Sequence, residues 1–212
     1  MKKSEKTEEI NLKYEKWLIA FKLNTLVYYS AWGADSTDDR NDKLWIDDQQ
    51  RILLTEDSTK SIDAIISKAL PAFDAENLTN WALEHKVNKS SFKDSALTNF
   101  DNLIRKVDII RYDNLHKISP KVASDVVNFI NLFGDYTYQT KDDFLLKIHS
   151  NPSVRIFWEF MYDAYFWTIP PEELKERQEE LLRGYDAGQC KEALQEMIRV
   201  FISRFFIISP AN

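Results

Sequence analysis

The chain has 212 residues, of which 44% are hydrophobic and 29% charged, a balance that excludes a disordered chain and suits one domain, 1–212, with an ample core. Four glycines, where average usage of about 7% gives about 15, leave no G-x-G-x-x-G or G-x-x-x-x-G-K-[ST] phosphate loop. A formal net charge of −6 gives the chain no basic footprint for nucleic acid and points instead to basic partners.

The first sixteen residues, MKKSEKTEEINLKYEK, are rich in Lys and Glu and lack the apolar core of a signal peptide. Trp17, Ile19, Phe21 and Leu23 then share one parity, with Lys16, Lys22 and Asn24 on the other. Leu26 to Trp32 is rich in aromatic and β-branched residues. Two strands joined near Asn24-Thr25 are expected, with a helix as the rival reading of 12–22. The run GADSTDDRND, 33–42, reads as a solvated loop. Beyond it Leu44-Trp45-Ile46 faces Arg51–Thr55 across Asp47-Asp48-Gln49-Gln50, a hairpin pattern. Residues 12–57 are thus expected to form an antiparallel meander of three or four strands.

From Asp35 to Asp57 eight acids (Asp35, Asp38, Asp39, Asp42, Asp47, Asp48, Glu56, Asp57) and three bases (Arg40, Lys43, Arg51) leave a net of −5. The bland interpretation is a solvated loop. The functional one is a docking patch for a basic protein, since complementary charge speeds encounter and selects partners. Trp32 and Trp45 flank the loop and are candidate anchors, Trp45 foremost, although such tryptophans are more often core. The segment resembles a calcium loop only loosely: the glycine and the terminal Glu are missing.

After residue 57 the period becomes helical, so 58–212 is expected to be the helical part of an α+β fold. Ser58 or Thr59 caps Ile62, Ile65, Ile66 and Leu70 before Pro71, and Asp74 caps Leu78, Trp81 and Ala82. A helix is expected over 94–107. Ser119-Pro120 starts another, with Val122, Val126, Phe129, Ile130 and Phe133 inward and Gly134 as its stop. Thr140 caps 141–149, and Asn151-Pro152 opens a helix to about 168. Pro170-Pro171 seed a charged helix, 172–183, and the last helix runs from Ala187 to about Ile207.

The helix after Pro152 is apolar nearly all round except for Arg155, Glu159 and Asp163, spaced by four. They form either a narrow wet edge with an Arg155–Glu159 pair or the polar floor of a pocket, where Glu159 or Asp163 meets Arg199 of the last helix. Phe157, Trp158, Phe160, Met161, Phe201, Ile202 and Phe205 are the expected core. Asp113-x-x-His116 is one weak copy of a metal-binding spacing. His85 and His149 fall near helix ends and read as surface residues. Cys190, the single cysteine, excludes an internal disulfide and fits a reducing compartment; without a base nearby in sequence it reads as an ordinary packed thiol. The apolar tail, Met197–Ile208, is interrupted by Arg199 and Arg204, so no membrane span is expected.

These features point to a cytoplasmic bacterial protein-interaction module without cofactor, metal or catalytic residues. Its specific version is an acidic, immunity-type inhibitor of a basic toxin. The alternatives are a hydrolase-like or metal-dependent enzyme with a pocket around Glu159 and Asp163, and a helical module for small ligands.

Overall fold

The computed structural model describes residues 3–68, 70–92 and 96–208. The fold is α+β: a small N-terminal sheet whose first three strands are antiparallel, followed by a mainly helical remainder. The chain divides into two compact units, Met1–Asp101 with Arg204–Asn212, and Asn102–Ser203. That division does not follow the change of sequence character near residue 58.

In the first unit a helix, α1 (Lys3–Tyr14), fills the segment read as merely charge-rich. Glu15, with φ 54°, turns the chain into β1 (Lys16–Leu23). Asn24 and Thr25, at φ 50° and 69°, make the two-residue turn to β2 (Leu26–Ala34). Two consecutive positive φ values match the twist of a hairpin. A β-branched Thr there is strained, and both turn amides donate to the Asp101 carboxylate, at 2.8 and 3.1 Å, which holds it.

β3 (Asp42–Leu44) pairs antiparallel with the end of β2. Gly33 is required in β2: its φ is +153°, and a Cβ would lie 2.1 Å from the Glu15 carbonyl. β4 (Ile52–Leu54) keeps one bridge, Ile46 to Ile52, of the expected hairpin. Its ladder partner, however, is β6 (Phe205–Ile207), in parallel. β5 (Leu97–Asn99) pairs in parallel with β1, so the larger sheet runs β3-β2-β1-β5. Both β5 and β6 lie where helix is expected; the first two positions of the helix expected over 94–107 lie outside the described residues.

Asp57, one residue before the expected cap, begins α2 (Ser58–Ser67) by accepting from the Thr59 amide at 2.7 Å. α3 (Ala75–Asn88) follows. Ile10, Leu18, Ala31, Trp45, Leu53, Ile62, Ile65, Leu78, Trp81 and Ala82 form one core, with α1, α2 and α3 covering one face of the sheet. On the other parity Phe21 stacks on Phe205 at 5.3 Å and touches Phe100 at 5.8 Å.

α4 (Phe100–Ile109) leads into the second unit, where the helices are α5 (Pro120–Thr140), α6 (Asp143–His149), α7 (Pro152–Tyr165), α8 (Pro171–Leu182) and α9 (Ala187–Ser203). Gly134 does not stop α5, which continues for six residues to a left-handed Lys141. A Cβ on Gly134 would come within 2.9 Å of the His149 ring, so this glycine lets α6 approach closely. Asp142, rather than Thr140, caps α6, and Asn151 caps α7. Phe157, Phe160, Met161 and Phe201 are buried as expected, while Trp158 and Ile202 are half-buried. Phe205 lies in β6 and is half-buried too. Phe201 is edge-on to Phe129 at 5.7 Å and to Tyr136 at 5.6 Å. Among the described residues no helix is long and apolar enough to cross a membrane.

Candidate functional site

The acidic segment is partly consumed by its own folding. Asp35 is buried; it accepts from the Thr37 amide at 2.9 Å and from Lys43 Nζ at 2.8 Å. Burial opposes its ionisation, but Lys43 and Thr37 hold its carboxyl below the usual range. Lys43 also meets Asp38, at 2.6 Å. Asp47 closes its turn by accepting from the Gln49 and Arg51 amides and pairs with the Arg51 side chain. Asp57 is a helix cap, and Arg40 pairs with Glu15. Asp39, Asp42 and Asp48 are exposed and have no ion-pair partner among the described residues. Trp45 is not a surface anchor: it is buried in the core, and its indole N–H donates to the Pro71 carbonyl at 2.9 Å.

The polar stripe of α7 splits. Exposed Arg155 pairs with Glu159 at 2.7 Å, as an i,i+4 pair. Asp163 has a side-chain exposure of only 2% and meets Arg177 of α8 at 2.5 Å. Arg199 instead pairs with Glu196 on its own helix. Glu159, Asp163 and Arg199 are therefore held in three separate pairs, not gathered around one pocket.

The other early candidates are structural. Asp113 forms a local pair with Arg111, and His116 packs edge-on against Phe160. No group of three or more His, Cys, Asp or Glu side chains that could hold a metal ion occurs among the described residues. Cys190 sits in the first turn of α9, but burial pushes its thiol up to about 12, outweighing what a helix start offers a thiolate.

Two arrangements in the first unit escape the sequence pattern. The first is a buried ion pair. Lys16, 1% exposed, donates to Asp74 at 2.8 Å and to the carbonyls of Tyr14 and Ala34. Asp74 also accepts from the Ser36 amide and hydroxyl, at 3.2 and 3.0 Å, and from Asn77 at 3.0 Å. Burial alone would raise its carboxyl; these donors hold it below the usual range. Asp74 precedes α3 as expected, but makes no side-chain cap bond there. Its oxygens tie down the first residues of the acidic loop.

The second is a cavity of about 310 Å³ lined by Thr7, Glu8 and Asn11 of α1, Trp17, Leu18 and Ile19 of β1, Trp32 of β2, and Ser91, Phe92 and Ala96. Trp17 and Trp32 are cross-strand partners with ring centroids 5.6 Å apart, both half-buried. Behind them Asn11 is locked. The Trp81 indole can only donate, so the Asn11 Oδ1 that it meets at 3.1 Å is the acceptor. His85 Nε2, 3.0 Å from the same oxygen, must then carry the proton, and Nδ1 accepts from the Ser90 hydroxyl at 2.7 Å. Burial lowers the His85 pKa to about 4, which keeps it in this neutral form. The alternation of Trp17 and Ile19 was legible in the sequence; α1, which also lines the cavity, was not.

No family model matches the chain, and no curated protein matches it. The α+β fold is shared with a solved structure, the C-terminal domain of SatS determined in complex with bromine. It matches with a TM-score of 0.57 over 93% of this chain and 96% of that one, at 12% identity. That likeness is one of fold.

Proposed function

We propose that the chain is a protein-interaction module whose acidic segment, from Asp35 to Asp57, docks a basic protein partner. An immunity-type inhibitor of a basic toxin in a bacterial cytoplasm is the specific form of that reading. The observation that carries it is a set of exposed carboxylates with no ion-pair partner among the described residues, Asp39, Asp42 and Asp48, on a segment anchored from within by the Asp35–Lys43 and Asp47–Arg51 pairs. Partial desolvation and the neighbouring Glu15 carboxylate raise Asp42, so a cation arriving there relieves repulsion as well as gaining attraction. An anchored loop loses little freedom on docking, which favours association.

The test begins with capture of partners at low salt. The association rate of the captured partner is then measured with wild-type protein and with Asp39→Asn/Asp42→Asn/Asp48→Asn. The reading expects a basic partner, an on-rate lowered by about tenfold or more, and a flatter salt dependence in the variant. An unchanged on-rate, or a partner without basic character, contradicts it.

A further inference from the structure

The C-terminal end of α7 carries a ladder of aromatic rings that packing leaves open. Trp158, Tyr162 and Phe166 recur every four residues and so share one face. The Tyr162 ring centroid lies 4.0 Å from that of Trp158, 5.0 Å from Phe166 and 5.9 Å from Trp167. Trp158 and Tyr162 are half-buried, but Phe166 is 42% and Trp167 61% exposed. Adjoining exposed rings, unlike scattered ones, mark an interaction surface.

The polar groups of this patch select the partner. The Trp158 indole can only donate, so the Asn131 atom that it meets at 2.7 Å is Oδ1. The other Asn131 atom is then Nδ2, which donates to the Tyr162 oxygen at 3.1 Å. A phenol that accepts in this way keeps its own proton to give. Neither that O–H nor the indole N–H of exposed Trp167 has an acceptor among the described residues. The patch thus offers ring surface and two side-chain donors, while the Asn131 oxygen is engaged by Trp158.

We infer that this ladder binds a proline-rich segment in the polyproline II conformation, laid across the rings of Trp158, Tyr162, Phe166 and Trp167, with its carbonyls taking the Tyr162 O–H and the Trp167 N–H. A proline residue presents a carbonyl and no N–H, so such a segment supplies acceptors and asks for none in return. Its pyrrolidine rings are apolar, and its backbone is extended before it binds, so little freedom is lost on docking against aromatic rings. From Trp158 to Phe166 the helix rises about 12 Å, the length of about four residues of polyproline II. A sugar brings hydroxyl donors along with its acceptors, and an anion meets the exposed Glu172 and Glu173 with which α8 opens. Asn131 holds two of the rings beforehand, which limits the cost of ordering them. The site is independent of the acidic segment, and either can fail without the other.

The test is equilibrium titration of the full chain, followed by tryptophan fluorescence and by calorimetry. The probes are a proline decamer blocked at both ends, a blocked Gly-Ser decamer, and maltohexaose. The proline decamer is expected to saturate, and the other two not to bind. Trp167→Ala, at an exposed position, should weaken the proline decamer about tenfold or more. Tyr162→Phe keeps the ring and removes the donor, and should weaken it about threefold to tenfold. Circular dichroism of both variants should match wild type. No saturable response to the proline decamer, equal affinity for the Gly-Ser decamer, maltohexaose binding that Trp167→Ala abolishes, or a proline-decamer affinity that Trp167→Ala or Tyr162→Phe leaves unchanged overturns the inference.

Discussion

The two units bury a carboxylate in opposite ways. In the first, Asp74 accepts from a lysine that is itself 1% exposed, and from Ser36 and Asn77 besides. In the second, Asp163 is 2% exposed but meets an arginine whose side chain is 54% exposed. A charge buried with its partner must be fully hydrogen-bonded, because neither ion has water to fall back on. A charge whose partner reaches solvent is closer to a surface pair. In the first unit the buried Lys16–Asp74 pair holds the start of the acidic loop through Ser36, while Lys13–Glu84 and Lys86–Asp63 lie on its surface. The second lays ion pairs along helix faces as Arg155–Glu159, Lys175–Glu179 and Arg199–Glu196. The difference places the fully buried ion pair in the first unit, which also carries the acidic segment proposed to dock a partner.

The comparison can be broken by mutation. Lys16→Met strands Asp74 without a cation and should cost about 3–5 kcal/mol in urea unfolding. Arg177→Ala, its counterpart, should cost less, about 1.5–3 kcal/mol. Equal losses would erase the distinction drawn between the two carboxylates.

Acid should act on the first unit in two windows. The His85 pKa is lowered to about 4, so the unfolded chain binds its proton more readily. Stability present above the unfolded value of about 6.5 is therefore lost as pH falls toward 4, by on the order of 3 kcal/mol. Asp74, also lowered, contributes above the ordinary Asp range and is lost as pH falls through and below it. His85→Gln should flatten the upper window and leave the lower. A variant with an undiminished slope between pH 6.5 and 4 would remove His85 from the account. At the small end, Arg155→Ala should change stability by under about 0.5 kcal/mol, since its partner Glu159 remains partly solvated.

Local pattern revealed what local pattern determines. The β1–β2 hairpin, its Asn24-Thr25 turn, the helical succession and the α7 core face were all legible, because alternation and apolar spacing report which face is buried. Lys16 was not. At a strand's start a lysine of polar parity looks solvated, and only Asp74, 58 residues on, makes it core. β5 and β6 are three residues long and pair in parallel with distant partners, so their ladders leave no periodic trace. α1 was hidden by its charges: Leu12 is 61% exposed, and few of its side chains face inward. The acidic loop was legible as composition, but which carboxylates remain free was not, because Lys43 and Arg51 choose their partners only when folded. Trp45 misled for the same reason.

The assignment of basic-partner docking to the first unit is tested most directly by charge swaps of equal size. Glu172, Glu173 and Glu176 of α8 are exposed and likewise have no ion-pair partner among the described residues, so Glu172→Gln/Glu173→Gln/Glu176→Gln removes as much charge as Asp39→Asn/Asp42→Asn/Asp48→Asn. The measurement is the association rate of the basic partner captured by wild-type protein, across a series of salt concentrations. The account predicts that the Asp39/Asp42/Asp48 variant loses about tenfold or more at low salt while the α8 variant stays within about twofold of wild type. Equal losses from both variants would reduce the attraction to net charge alone, and a greater loss from α8 would move the interface to the second unit; either contradicts the account.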